Sequence, residues 1–192
     1  GKLMRPFFFS ENQVEGVNPH DELEPYASSD IIRSHVEDGL DLARRYRLPS
    51  RVRDFIREHH GTSRVSFFYD KAVEVAGDAS LVDEADFRYA GPKPQSKETA
   101  LVMLADGCEA AVRSLQPADR EGMARVVNRV IDERVADSQL SECNLTLRDL
   151  ETVRRVFVTS LKGIYHPRIT YPSSTRTPGK GRAVETLESA DA

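Results

Sequence analysis

The stretch of sequence that decides the fold is residues 31–62, IIRSHVEDGLDLARRYRLPSRVRDFIREHHGT. It contains His35, His59 and His60, three of the five histidines in the protein. In residues 28–46 the apolar and small side chains recur at helical spacing, and His35 lies on the same stripe. The pattern predicts a helix over residues 28–46 with His35 facing inward.

A second helix is predicted after a break in the chain at Pro49. Ser50 is a suitable N-cap residue, and Gly61 ends this helix just after His59 and His60. The break between the two helices is short, so we expect them to pack against each other as an antiparallel hairpin.

The histidines lie at comparable distances from the turn of this hairpin. His35 lies 12 residues before Arg47, and His59 lies 9 residues after Ser50. At a rise of ~1.5 Å per residue they stand roughly 18 Å and 14 Å from the turn, on antiparallel helices. His60 can be directed at the same region if the last helical turn frays before the glycine. The three imidazoles can therefore meet.

Three converging histidines indicate a metal site, because imidazole is the commonest protein ligand for transition metals. The alternative is a buried, hydrogen-bonded His35 with two solvated histidines at a helix end. Asp106 favours the metal site, since a carboxylate in the middle of an apolar helix is costly to bury unless it is paired or bound to a metal. If Asp106 points to solvent, it needs no partner. We predict that His35, His59, His60 and Asp106 converge on one cavity.

The remaining periodicity predicts an all-α fold, a bundle of about six main helices. Further helices are expected after Gly61 as far as residue 76, over residues 97–115 after a Ser96 cap, over residues 117–136, and after a Thr146 cap. Residues 77–95 are predicted to be a loop that borders the site. Residues 173–192 have no apolar periodicity and are predicted to be a disordered tail.

The dipeptide His20-Asp21 resembles a metal-binding pair but is predicted not to be one. It lies between Pro19 and Pro25 without periodic apolar support, whereas a ligand pair needs a rigid element. A local turn, or an edge contact to the cleft, is the favoured interpretation.

Composition limits the possible partners. The net charge of -4 carries no basic excess, which argues against a nucleic-acid polymer as the main partner. No apolar run approaches the ~18 residues of a membrane span, and no signal peptide precedes the first helix. Cys108 and Cys143 lack CxxC spacing, which is typical of core thiols in a reducing compartment.

Several ordered motifs over about residues 1–172 resemble the cytoplasmic HD hydrolase domain of the seven-transmembrane HD receptors. They are Gly1-Lys2, Arg5-Pro6-Phe7-Phe8-Phe9, Asn18-Pro19-His20-Asp21, Ser34-His35-Val36, His59-His60-Gly61-Thr62, Gly91-Pro92-Lys93-Pro94-Gln95 and Met103-Leu104-Ala105-Asp106. The resemblance implies a domain over residues 1–172 that belongs to a multi-pass membrane protein and lies in the cytoplasm.

The resemblance also implies a ligand set. His35 matches an intermediate metal-binding His of that family, His59 and His60 match a His-His pair, and Asp106 matches a late Asp. Lys2 matches a lysine that often approaches a substrate phosphate. The family's first His and its His-Asp dipeptide would lie immediately upstream of Gly1.

The activity implied by the resemblance is metal-dependent hydrolysis of cyclic-di-AMP to linear pApA. Two transition-metal ions, iron or manganese, would be bridged by a hydroxide that attacks the phosphorus in line. One alternative is an HD phosphohydrolase acting on another nucleotide, since nothing in the sequence reads adenine. Another is a domain that binds the nucleotide and signals without hydrolysis.

Overall fold

The computed structural model describes residues 1–9 and 18–165. Six α-helices follow one another: α1 Pro25–Arg45, α2 Ser50–Glu58, α3 Ser66–Ala76, α4 Lys97–Leu115, α5 Arg120–Ala136 and α6 Leu147–Tyr165. Short 3-10 helices connect them or precede them: Lys2–Met4, Pro6–Phe8, Pro19–Glu22, Ala79–Leu81 and Glu84–Phe87. The prediction of an all-α fold with about six main helices is confirmed. The predicted tail over residues 173–192 lies outside the described residues.

Two helix starts differ from the predicted positions because of local chemistry. α1 begins at Pro25 rather than at residue 28, since proline fits the first turn of a helix, and Ser28 lies buried inside it. α5 begins at Arg120 rather than at residue 117. The Asp119 side chain accepts the Gly122 N–H at 2.6 Å and so caps the helix at that point.

α3 also begins later than predicted, at Ser66, because Arg64 forms an isolated antiparallel β-bridge with Arg88. The Val65 N–H donates to the Phe87 carbonyl at 2.8 Å, and the Tyr89 N–H donates to the Ser63 carbonyl at 3.1 Å. This short pairing brings the 77–95 loop against the end of α2. The predicted position of that loop, bordering the histidines, is confirmed.

Side-chain caps fix the starts of the two long helices α4 and α6. Ser96 caps α4 in a capping box with Thr99. At α6 the Thr146 hydroxyl accepts the Asp149 N–H at 3.2 Å, and the Asp149 carboxylate accepts the Thr146 N–H at 2.9 Å. Both predicted cap residues are confirmed. The predicted Ser50 cap of α2 is wrong, because Ser50 is the first residue of that helix, and its N-cap residue, Pro49, makes no side-chain cap.

The apolar residues form two separate clusters, one on each side of α2. The larger lies among α4, α5 and α6 and includes the fully buried Leu104, Val127 and Ile131. The smaller joins α1 to α3 and the 3-10 helix Glu84–Phe87 around Phe87. α2 packs against both α1 and α4. It therefore lies at the seam between the two clusters.

Two further sequence expectations bear on the described residues. Cys108 is a fully buried thiol in the larger cluster, as predicted, and burial raises its pKa to about 12. Within residues 1–9 and 18–165, no helix combines the length and the apolarity needed to cross a membrane.

Candidate metal centre

His35 and His59 meet across the α1–α2 hairpin, as their spacing predicted. His35 is 6% exposed and lies on the inner face of α1. Its Nε2 atom lies 3.2 Å from the Nε2 atom of His59, which is the C-cap residue of α2. The hairpin thus brings two imidazole nitrogens from residues 24 positions apart to within hydrogen-bond distance.

The other ring nitrogen of each histidine is held by the backbone of its own helix. Nδ1 of His35 lies 2.5 Å from the Ile32 carbonyl oxygen, and Nδ1 of His59 lies 2.8 Å from the Ile56 carbonyl oxygen. A carbonyl only accepts, so both Nδ1 atoms carry the proton. In the neutral imidazoles, the two Nε2 lone pairs therefore face each other with no proton between them.

Two lone pairs that face each other repel, and a cation bound between them removes this repulsion. With metal–nitrogen bonds of ~2.1 Å, two neighbouring ligand atoms on one ion lie roughly 3.0–3.4 Å apart, and the observed separation falls in that range. A backbone acceptor on the second nitrogen is also the usual arrangement around metal-bound histidine. The donor set therefore fits a transition-metal ion.

His60 completes a group of three. It lies in the turn after α2, outside the regular helix, so its ring can point to the same side as that of His59. One ligand atom from each of His35, His59 and His60 lies within 4.8 Å of the others. The His60 ring stacks on Tyr89, with centroids 4.3 Å apart and planes at 15°.

Asp106 faces this group from α4. Its Oδ2 atom lies 3.9 Å from Nδ1 of His60, and Asp106 borders one cavity with His59 and His60 and another with His35 and His60. The expectation that Asp106 is buried is wrong, because 42% of its side chain is exposed. The small neighbours Gly107 and Ala110 leave its carboxylate open to the cavity beside it.

Burial keeps the three imidazoles neutral. It lowers the pKa of His35 to about 4, and it lowers the pKa of His59 despite the nearby Asp106 carboxylate. It also holds the pKa of His60 well below the usual value, helped by the neighbouring His59. Neutral imidazole is the form that binds metal, so the lone pairs are available at pH 7.

A buried carboxylate anchors the chain just before the histidine pair. Glu58 is 6% exposed and accepts the Thr99 hydroxyl at 2.6 Å and the Gln95 N–H at 2.9 Å. These contacts tie the end of α2 to the start of α4. The last turn of α2, where His59 and His60 lie, is thereby fixed relative to the helix that carries Asp106.

A second anchor holds the chain just after the pair. Gln139 is 1% exposed, accepts the Thr62 N–H at 2.9 Å, and donates from Nε2 to Asp137 and to the Thr62 hydroxyl, each at 2.9 Å. Gly61 is required beside it, because its φ is +53° and an added Cβ would lie 2.4 Å from the Gln139 Oε1 atom.

Arg88 extends the second anchor. It donates to both carboxylate oxygens of Asp137 and to the Thr62 carbonyl at 2.7 Å. Burial acts to raise the pKa of Asp137, but the hydrogen bonds and charge of Arg88 outweigh it and the net shift is downward. The Thr62 N–H is thus bound by Gln139, and the Thr62 carbonyl is bound by Arg88. Two distant segments therefore hold the turn after His60.

Lys2 lies close to the histidines in the structure. It borders a cavity of about 330 Å³ together with His35, His60 and Asp106. Much of the remaining wall is aromatic, from Phe8, Phe9, Phe67, Phe68 and Tyr89. The Lys2 Nζ atom lies 5.5 Å from the Phe9 ring centroid.

His20 borders the same cavity, but its surroundings differ from the predicted ones. It is 5% exposed, rests against the Phe8 and Phe68 rings, and donates from Nε2 to the Phe8 carbonyl at 2.9 Å. The expectation of an unsupported loop is therefore wrong. The expected local turn is present, since Asn18 caps the 3-10 helix Pro19–Glu22 through the His20 N–H.

Sequence reasoning missed the residues that position the histidines without being candidate metal ligands themselves. Tyr89, Arg88, Glu58 and Gln139 are such residues, and the last two lie 41 and 77 positions from the residues they bind. Glu58 carried a weak signal, because it is a carboxylate on a short helix next to two candidate ligands. Gln139 carried none, since a lone glutamine after a helix is most often exposed.

A family model described as "HD domain" matches residues 14–111. Cyclic-di-AMP phosphodiesterase PgpH of Bacillus subtilis is 46% identical over 176 residues, which cover 92% of this chain and 24% of that protein. PgpH of Listeria monocytogenes is 42% identical over 172 residues, covering 90% of this chain and 24% of that protein. The chain therefore spans about a quarter of the length of these relatives, 24% in both cases.

Solved structures of the L. monocytogenes PgpH HD domain have the same fold. One matches with a TM-score of 0.78 at 40% identity and covers 86% of this chain and 76% of that chain. Another, described as a complex with cyclic-di-AMP, matches with a TM-score of 0.80 at 41% identity and covers 85% and 75%.

Proposed function

The chain belongs to the HD domain family, and we propose that it is the hydrolase domain of a metal-dependent cyclic-di-AMP phosphodiesterase. Its relatives of that name, and the related HD domain whose structure is described as a complex with cyclic-di-AMP, support this substrate. The observation that carries the proposal is the 3.2 Å approach of the His35 and His59 Nε2 atoms, whose Nδ1 protons are both committed to backbone carbonyls.

His35, His59, His60 and Asp106 would hold the metal ions, for which iron and manganese are the candidates. Such ions, when bound, polarise a phosphate and generate a nucleophile from water at neutral pH. The family resemblance implies further ligands, a His and a His-Asp dipeptide, from residues before Gly1.

The chain's own residues bind and orient the nucleotide. Lys2 would contact a phosphate from the cavity that it shares with His35 and Asp106. The aromatic wall of that cavity suits a nucleobase, since base faces stack on aromatic rings. Tyr89 is half-buried, and burial raises the pKa of its hydroxyl far above the usual value, so the hydroxyl stays protonated and the ring serves to support His60.

By the same resemblance, we propose that the domain lies in the cytoplasm as part of a multi-pass membrane protein. The net charge of -4 argues against a polymeric nucleic acid as the substrate.

The test is hydrolysis of cyclic-di-AMP by the protein, extended upstream of Gly1 to include the expected His and His-Asp dipeptide. We expect Mn²⁺- or Fe²⁺-dependent formation of pApA that stops on chelation. Asp106→Ala should lower the rate by more than the about 100-fold that loss of an outer-shell partner can cost, because it removes a ligand and a balancing negative charge. Chromatography of the products measures the rate.

The matched control is Glu98→Ala, which removes an exposed carboxylate from the same helix. It should keep the parent rate and the parent circular dichroism. Turnover that survives chelation, or an Asp106→Ala protein that is folded and as fast as the parent, would contradict the proposal. Binding of cyclic-di-AMP without cleavage would show a sensor domain instead.

A further inference from the structure

A second cavity lies on the opposite side of His60 from Lys2. It has a volume of about 220 Å³ and lies between the end of α2, α4 and α5. His59, His60 and Asp106 form one wall, and Arg64 and Arg134 also border it. It shares His60, Tyr89 and Asp106 with the Lys2 cavity, so both open onto the same candidate metal centre.

Arg134 stands out among the basic residues at this cavity because it has no acidic partner in the part of the chain that the structure describes. Its Nε atom is buried and without a hydrogen-bond partner, and no carboxylate among the described residues lies within 4.0 Å of its guanidinium. Arg64, by contrast, donates to Glu84 at 2.9 Å and covers the Tyr69 ring. A partly buried cation without a partner is costly, so a site that retains one calls for an anion.

The packing of α4 against α5 directs Arg134 toward the metal centre. Its Nη2 atom lies 3.9 Å from the position that a Cβ on Gly107 would occupy, so the guanidinium passes over the residue next to Asp106. The carboxylate nearest in sequence, Asp137, is already bound by Arg88 and Gln139. Arg134 is therefore not needed to satisfy Asp137.

We propose that Arg134 binds a phosphate group of the nucleotide held at the metal centre. The inference rests on the proposed function and adds a phosphate subsite to it. The guanidinium fork matches phosphate oxygens in charge and geometry. The cavity volume of about 220 Å³ suits a phosphate, whereas pockets that enclose larger ligands measure roughly 300–1,000 Å³. The nucleoside then lies in the aromatic cavity on the Lys2 side.

The kinetic test compares Arg134→Gln with Arg129→Gln, which removes a more exposed arginine from the same helix. Arg134→Gln should raise the KM for cyclic-di-AMP, and the inhibition constant of inorganic phosphate, by about 10-fold or more, as expected for loss of a charged hydrogen bond. Arg134→Lys should recover part of this loss. Metal content, measured by mass spectrometry, and the melting temperature should stay at the values of the Arg129→Gln control.

Unchanged KM and phosphate inhibition in a folded Arg134→Gln protein would overturn the inference. So would a parallel loss of metal, because Arg134 would then support the centre rather than the substrate.

A direct binding test separates this inference from failure of the proposed function. The Nε–H resonance of Arg134, assigned by its absence in Arg134→Lys, should shift when inorganic phosphate is added to the Zn²⁺-loaded protein. Chloride at equal ionic strength should leave it in place. A shift supports the phosphate subsite even if cyclic-di-AMP is not hydrolysed, and no shift at saturating phosphate overturns it.

Discussion

At the scale of single residues, the backbone of a helix prepares two histidines for metal binding. His35 and His59 each donate Nδ1–H to the carbonyl three residues earlier, at Ile32 and Ile56. This fixes the tautomer and leaves Nε2 as the acceptor. His20 has the opposite arrangement, because its Nε2 donates to Phe8 and its Nδ1 is buried. His20 also lies outside the group of His35, His59 and His60, whose ligand atoms lie within 4.8 Å of one another, so we expect that it is not a ligand.

We predict that His20→Ala leaves the metal content of the protein unchanged, whereas His59→Ala lowers it. The Nε2 atom of His20 is committed to the Phe8 carbonyl, and His20 lies outside the group of three histidines whose ligand atoms lie within 4.8 Å of one another. Metal per protein is measured by mass spectrometry after gel filtration. Since His20 packs between two phenylalanine rings, circular dichroism must first show that the variant is folded. A metal loss as large as that of His59→Ala would refute the prediction.

At the scale of secondary structure, the end of α2 is the element that the site depends on. Adjacent histidines on a regular helix point ~100° apart, so both can serve one site only where the helix ends. A helix end left to itself frays. Glu58 before the pair and Gln139 after it hold this end through α4 and through the turn after α5.

We predict that Gln139→Leu weakens metal binding about 10-fold and lowers the free energy of unfolding by about 1–3 kcal/mol. The substitution leaves the partly buried Thr62 N–H without its acceptor, and loss of an outer-shell contact typically costs 10–100-fold in affinity. Metal affinity is measured by competition with a chelator, and unfolding by urea titration.

Gln95→Leu is the matched control, because the Gln95 side chain is exposed while its backbone N–H still binds Glu58. It should behave as the parent does. If Gln139→Leu and Gln95→Leu bind metal equally well, the anchor after His60 does not position the ligands.

At the scale of the whole molecule, the candidate ligands come from both sides of the seam between the two apolar clusters. His35 belongs to α1, beside the smaller cluster, and Asp106 belongs to α4, beside the larger one. His59 and His60 lie at the end of α2, which contacts both helices. A metal ion bound by all of them would link the two halves of the fold.

We therefore predict that metal stabilises the whole domain. At a free metal concentration 100 times the dissociation constant, the gain is about 2.7 kcal/mol, or roughly 5–10 °C in melting temperature for a chain of this size. Calorimetry with Mn²⁺ and with a chelator measures it. His59→Ala should melt at the same temperature in both conditions. An equal melting temperature of the parent protein with and without Mn²⁺ would contradict the prediction.

The sequence by itself determined the helices, the α1–α2 hairpin and the approach of His35 to His59. These follow from local physics: apolar periodicity, a proline break, caps at Ser96 and Thr146, and the fixed rise of a helix. Distances along two antiparallel helices can be counted from the turn that joins them. Two residues at similar distances from the turn can therefore be predicted to lie close together.

Only the tertiary structure decided what surrounds that meeting point. The exposure of Asp106, the burial of His20 and the contact between Gln139 and Thr62 depend on how distant segments pack, and no short-range pattern encodes them. The same holds for Arg134. In the sequence it is one of several charged residues on α5, and in the structure its guanidinium passes beside Gly107 of α4 and borders the cavity of His59 and His60. The environment of a side chain depends on the complete fold, because residues distant in sequence bury it and form its hydrogen bonds.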